Sequence, residues 1–216
     1  MSVDFFLNIF SIVSGSLPII AALYNYKNLD KVLRIATAFF LVSFLVDLGL
    51  FLTMNLIVRN NYPVLHLFVL ISILFFTAVY YYAFFKTSIK RTIIVLGLVT
   101  FIILIFNLVF VEGIWEYPSI ANTVLNVLLI CFSLAYFYQL LNRQEFIHIE
   151  KQGLFWINAG VLFYYAINIF LFMLFKQLID THKEFYMINY ITNIIANILF
   201  TVGLLCKPQP NLQKAT

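Results

Sequence analysis

The chain has 216 residues, 63% of them hydrophobic and only 10% charged, with a mean hydropathy of +1.00. Soluble domains run at about 45–50% apolar and about 25% charged, so the composition excludes an ordinary soluble domain and predicts an integral membrane protein. The net charge of +4 does not point to nucleic acid, because the positive residues sort by membrane side.

A helix needs about 20 apolar residues to cross the hydrocarbon core. Seven stretches qualify: 4–25, 36–58, 62–85, 92–112, 118–141, 153–176 and 184–206. They are apolar on all sides rather than alternating, which predicts an all-α polytopic bundle and not a β-barrel. Residues 1–206 are expected to form one seven-helix transmembrane domain and 207–216 a short tail. No basic region precedes the first stretch and no small-residue cleavage site follows it, so it is expected to remain as the first helix. Connections are short, the longest being 142–152. They leave no room for a Walker loop, a kinase motif or a zinc finger, and any soluble output has to come from another chain. Cys131 and Cys206 both fall inside the spans, which argues against a structural disulfide.

Ten Lys and Arg sit on one side (Lys27, Lys31, Arg34, Lys86, Lys90, Arg91, Arg143, Lys151, Lys207 and Lys214). Three sit on the other (Arg59, Lys176 and Lys183). The positive-inside rule then places the N-terminus outside and the C-terminus in the cytoplasm. Tyr24, Tyr26, Tyr80, Tyr81, Tyr82, Tyr136 and Tyr138 read as an inner interfacial belt. Tyr62, Trp115, Tyr117 and Tyr186 read as an outer one. Similar helix endings in the third and seventh spans set Asp47 against Asn168 and suggest a parallel 3+1+3 repeat.

The second span carries Asp47 amid Phe39-Phe40-Leu41-Val42-Ser43-Phe44-Leu45-Val46. A carboxylate at mid-bilayer costs about 2.5–3.5 kcal/mol on insertion scales, so it is read as a functional position. No Lys or Arg lies at comparable depth to pair with it. At or near its level come Ser14, Ser16, Asn126, Tyr165 and Asn193, with Asn107, Asn122, Asn168 and Asn189 nearer the outer surface. Asn189, Asn193 and Asn197 recur at every fourth position, which places them along one helical face. The bland reading of these amides is hydrogen bonding between helices, and that of Asp47 is a neutral acid donating to an amide or hydroxyl. His66, after Tyr62-Pro63, reads as an interfacial structural histidine. Ser14-Gly15-Ser16, with Pro18 after it, predicts close helix approach and a local bend.

Several chemistries are excluded. Retinal binding of the microbial rhodopsin kind needs a lysine buried in the last helix, and Lys207 stands at its edge. His66, His148 and His182 are isolated, so no metal-ligand spacing appears, and no Gly-x-Ser-x-Gly elbow is present. No cofactor is expected.

The sixth and seventh spans carry Gly160-Val161-Leu162-Phe163, the polar position at Asn168, Tyr190 and Gly203-Leu204-Leu205. With Ser43-Phe44-Leu45-Val46-Asp47 before a histidine-bearing third helix, the chain resembles the lysoplasmalogenase-like (YhhN-type) family of polytopic membrane enzymes. That resemblance implies a helical membrane fold and hydrolysis of an ether lipid by two intramembrane acids. Asp47 matches the first acid; Asn168, an amide, stands at the second. Family members usually have eight helices, against seven here. Through Phe155-Trp156-Ile157-Asn158-Ala159-Gly160 and the Asn-rich last helix, the chain is also similar to small bacterial seven-helix proteins without soluble domains, which implies signalling through a partner.

The expectation is a multi-pass protein of the cell membrane, of bacterial inner-membrane type, with a polar cavity for a small or lipidic ligand. Asp47 would be the anchor, with Asn126, Tyr165, Asn168, Asn189 and Asn193 orienting the ligand. A cytoplasmic signalling partner would read the output. The alternatives are an intramembrane lipid hydrolase using Asp47 and His66, and a small-solute or proton-coupled transporter.

Overall fold

A computed structural model of the chain describes residues 3–54, 60–142, 149–173 and 185–207. Arg59, Arg143, His148, Lys176, His182, Lys183 and Lys214, used in the charge count and the histidine survey, lie outside the described residues. The described chain is all helical: α1 (Val3–Ser14), α2 (Ser16–Tyr24), α3 (Lys31–Met54), α4 (Tyr62–Ala83), α5 (Thr87–Phe110), α6 (Ser119–Leu141), α7 (Gly153–Met173) and α8 (Phe185–Leu205). Short 3-10 turns cover Tyr26–Asn28 and Ile149–Lys151. Seven of these units, α1 and α2 counting as one, are long and apolar enough to cross a membrane.

The first span is broken where a bend is expected. Gly15 interrupts it, and its N–H is shared between Ser11 O at 3.3 Å and Ile12 O at 3.0 Å. Ser14 and Ser16 turn their hydroxyls back onto Ser11 O and Val13 O, a competition with the helical ladder that favours a kink.

The start of α3 follows a side-chain cap. Asp30 Oδ1 accepts the Leu33 N–H at 2.8 Å, so α3 starts at Lys31 rather than 36. Helix α5 also starts earlier than its apolar run, at Thr87, because nothing in Thr87-Ser88-Ile89-Lys90-Arg91 breaks a helix. At its far end Gly113 takes φ +70°, a left-handed conformation suited to glycine, and the chain turns back toward α6. Glu112, 5% exposed, fixes that turn: one carboxylate oxygen accepts the Asn107 amide and the other the Ile120 N–H, each at 2.6 Å. A carboxylate at a helix N-terminus satisfies an otherwise orphaned donor and complements the dipole.

The spans form a ring in chain order. Each packs on its neighbours in sequence, and α1 and α2 close the ring against α8. Helix α4 also reaches across to α6, and α3 to α7. The tightest seam is α7 against α8. A Cβ on Gly203 would lie 2.6 Å from Gly153 O, and one on Gly160 would run into the Phe200 ring. Small residues there let the backbones touch. Helix α5 buries only the stripe Ile93, Gly97, Thr100, Leu104 and Asn107.

Three interfacial assignments are corrected. Tyr80 and Tyr136 are 2% and 4% exposed, core residues rather than belt residues, and Tyr117 is buried at 8%. Burial, with Tyr164, Tyr186, Tyr62 and Glu112 around it, holds the Tyr117 hydroxyl protonated well above its ordinary range. Tyr24, Tyr26, Tyr82, Tyr138 and Trp115 remain exposed. Cys131 and Cys206 are both free, and Cys206 stands one residue beyond α8 rather than within it.

Candidate functional site

Asp47 opens onto a cavity of about 110 Å³ enclosed by five of the seven spans. Gly15, at the break in the first span, forms part of the lining. Helix α3 contributes Phe39, Phe40, Ser43 and Phe44 beside Asp47, and α4 adds Phe68 and Phe76. Tyr164 and Tyr165 come from α7, and Asn189, Asn193, Asn197 and Phe200 from α8. The fourth and fifth spans contribute nothing to the lining.

The aromatic wall is continuous. Phe39 packs on Phe76 with ring centroids 4.6 Å apart and on Phe68 at 5.9 Å. Phe76 meets Tyr165 edge-on at 5.9 Å, and Tyr165 meets Tyr164 at 5.1 Å. Phe40 and Phe200 stack at 4.4 Å on the other flank. Against this wall Asp47 is half-buried, and among the described residues its carboxylate has no hydrogen-bond or ion-pair partner.

Most other intramembrane polar groups are satisfied. On α7 and α8, Asn168 donates to Tyr164 O at 2.9 Å and to Thr192 Oγ1 at 2.8 Å. Asn189 donates to Asn168 Oδ1 at 3.0 Å. Asn193 donates to Ser11 Oγ at 2.8 Å, and Asn197 to Ser14 Oγ at 2.9 Å. The amide ladder of α8 therefore divides, Asn189 joining α7 and the other two joining the first span.

A separate knot ties α4, α6 and α7. The Tyr80 hydroxyl donates to Asn158 Oδ1 and meets Ser133 Oγ, both at 2.7 Å, while Asn158 Nδ2 donates to Ser133 O at 3.1 Å. All three side chains are buried. In the sequence Asn158 stands out only as part of Phe155-Trp156-Ile157-Asn158-Ala159-Gly160, and Ser133 carries no signal that separates it from other serines.

The structure thus brings together Asp47, Tyr165, Asn189 and Asn193 at the cavity. Asn168 stands one hydrogen bond behind Asn189 and outside the lining. Asn126 is elsewhere, 0% exposed on α6, with neither amide atom partnered. His66, 4% exposed, is also outside the lining. Its Nε2 lies 3.0 Å from Glu116 O. A carbonyl can only accept, so Nε2 carries the hydrogen and the ring fastens the α5–α6 turn to α4. That is a structural role. Tyr164, Ser43 and Asn197 line the site and were not selected from the sequence.

Among the described residues no group of His, Cys, Asp and Glu could hold a metal ion. The seven apolar spans mark a multi-pass membrane protein. Comparison with known families, curated proteins and solved structures finds no match for this chain.

Proposed function

We propose that this protein binds a small or lipidic ligand in the Asp47 cavity and passes a helix rearrangement to a cytoplasmic partner. The observation that carries the reading is an unpaired carboxylate opening onto an aromatic-walled cavity of about 110 Å³, in a bundle whose other polar side chains mostly bond to one another. Desolvating a carboxylate without a partner is costly, and a site that keeps one accessible gains most from a ligand that supplies the partner. In this reading the N-terminus is outside and the C-terminus cytoplasmic. Lys31 over the Tyr82 ring and Lys90 over the Tyr81 ring support a single basic end, on which a partner would dock. The setting is a bacterial inner membrane.

The cavity joins the break in the first span to α3, α7 and α8. A ligand there would shift the angle at Gly15, where an added Cβ would lie 3.3 Å from the Phe44 ring, and so move the Tyr26–Asn28 turn and the start of α3, which carry Lys27, Lys31 and Arg34. The hydrolase reading from the lysoplasmalogenase-like resemblance needs an acid and a base within reach of one water. Beside Asp47 the lining offers only hydroxyls and amides, which favours binding over hydrolysis.

The test is thermal stability of purified protein against a panel of lipids and metabolites, with Asp47→Asn alongside. Wild type is expected to gain stability with at least one compound and the variant to lose that gain. Shifts equal in both proteins, or none in either, would remove the reading.

A further inference from the structure

We infer that the occupant of the Asp47 cavity is a compact organic ammonium, held by the carboxylate and the surrounding aromatic rings. This rests on the binding function proposed above and names its chemical class.

Three features of the lining point the same way. First, Asp47 is the only acidic or basic side chain in the lining, and no Lys, Arg or His stands against it. A cation completes the site, whereas an anion would find no basic partner there. Second, eight of the fourteen lining residues are Phe or Tyr. Aromatic faces attract organic cations and tolerate their alkyl groups, the combination that recognises methylated ammonium.

Third, the amides are turned so that acceptors are left over. Asn168 Nδ2 faces a backbone carbonyl, Tyr164 O, so its Oδ1 must be the atom that receives Asn189. Asn189 Nδ2 is therefore turned onto the protein, 3.0 Å from Asn168 Oδ1 and 3.5 Å from the Tyr164 hydroxyl. Ser14 uses its one hydroxyl hydrogen on Ser11 O at 2.6 Å, so it can only accept from Asn197, whose Nδ2 lies 2.9 Å from it and 3.5 Å from Asn193 Oδ1. Asn189 Oδ1 and Asn197 Oδ1 accept no hydrogen bond among the described residues, and neither is sealed from access. A site with an acid, two accessible amide oxygens and amide nitrogens that each donate to the protein suits a donor or a cation. The small cavity, about 110 Å³, admits a headgroup-sized ammonium but no large polycation.

The same ammonium chemistry occurs free in solution and on lipid headgroups, and a matched set of probes separates the sources. Purified protein in a maltoside detergent is titrated with choline, with its neutral isostere 3,3-dimethylbutan-1-ol, with lysophosphatidylcholine and with lysophosphatidylglycerol, following thermal stability. Choline is expected to bind at least about tenfold more tightly than the isostere, and Asp47→Asn to abolish the difference. A shift with lysophosphatidylcholine but not with free choline or lysophosphatidylglycerol places the ammonium on a lipid. Equal non-zero shifts with choline and its isostere, or with the two lysolipids, overturn the ammonium inference while leaving ligand binding in place. No shift with any of the four, joined to a silent metabolite panel, removes both. The charge comparison on wild type stands even if Asp47→Asn fails to fold.

Discussion

Asn126 and Asn158 are the same side chain, both at 1% exposure or less, in opposite circumstances. Asn158 closes a three-helix knot with Tyr80 and Ser133, whereas neither amide atom of Asn126 has a partner. Removing one member of a buried hydrogen-bonded set leaves the others unsatisfied, at about 1–3 kcal/mol. Asn158→Leu is therefore expected to lower the stability of the purified protein by that amount. Asn126→Leu is expected to be neutral or stabilising, since it removes two unsatisfied groups and orphans nothing. Equal losses in the two variants, measured by denaturant unfolding in detergent, would mean that Asn126 serves a bound molecule. Sequence reasoning singles out Asp47 because its cost in lipid is independent of the fold. It groups Asn126 with Asp47 because depth along a helix can be counted, while the direction a side chain faces in a bundle cannot.

At the scale of the element, the α8 ladder shows how far periodicity reaches. Positions four apart drift by about 40° per step on a helix of 3.6 residues per turn. That drift carries Asn189 toward α7 and leaves Asn193 and Asn197 on the first span, a division the spacing alone conceals. Tyrosines near span ends likewise suit either an interface or a core, and only neighbouring helices decide that Tyr80 and Tyr136 are inside. Glu112 was unread because it falls at the end of an apolar run, where an acid excites no suspicion. The glycines make a sharper test. Gly203 meets the Gly153 backbone, with the Ile157 backbone N also within 3.2 Å of an added Cβ. Gly203→Ala must then push α7 and α8 apart, costing about 1–3 kcal/mol. Nothing lies within 4 Å of a Cβ at Gly49, so Gly49→Ala is expected to be neutral or to gain up to about 1 kcal/mol in helix propensity. Thermal unfolding of the two alanine variants side by side checks the contrast.

For the whole molecule, hydropathy made the seven spans legible, because in lipid a backbone has few ways to satisfy itself. The ring order and the place where five spans leave a gap depend on packing, and no periodicity reports them. Bringing the kinked first span, α3, α4, α7 and α8 around Asp47 converts an isolated acid into a walled site, while α5 and α6 stand apart from it. The central claim is that this site holds a ligand. An experimental density map of the protein purified in lipid nanodiscs, with the best-stabilising compound added, addresses it most directly. The expected result is non-protein density against the Asp47 carboxylate, bounded by Phe44, Tyr164 and Tyr165. A cavity filled by its own aromatic side chains, with Asp47 hydrogen-bonded to Tyr164 or Tyr165 and no added density, would contradict the account.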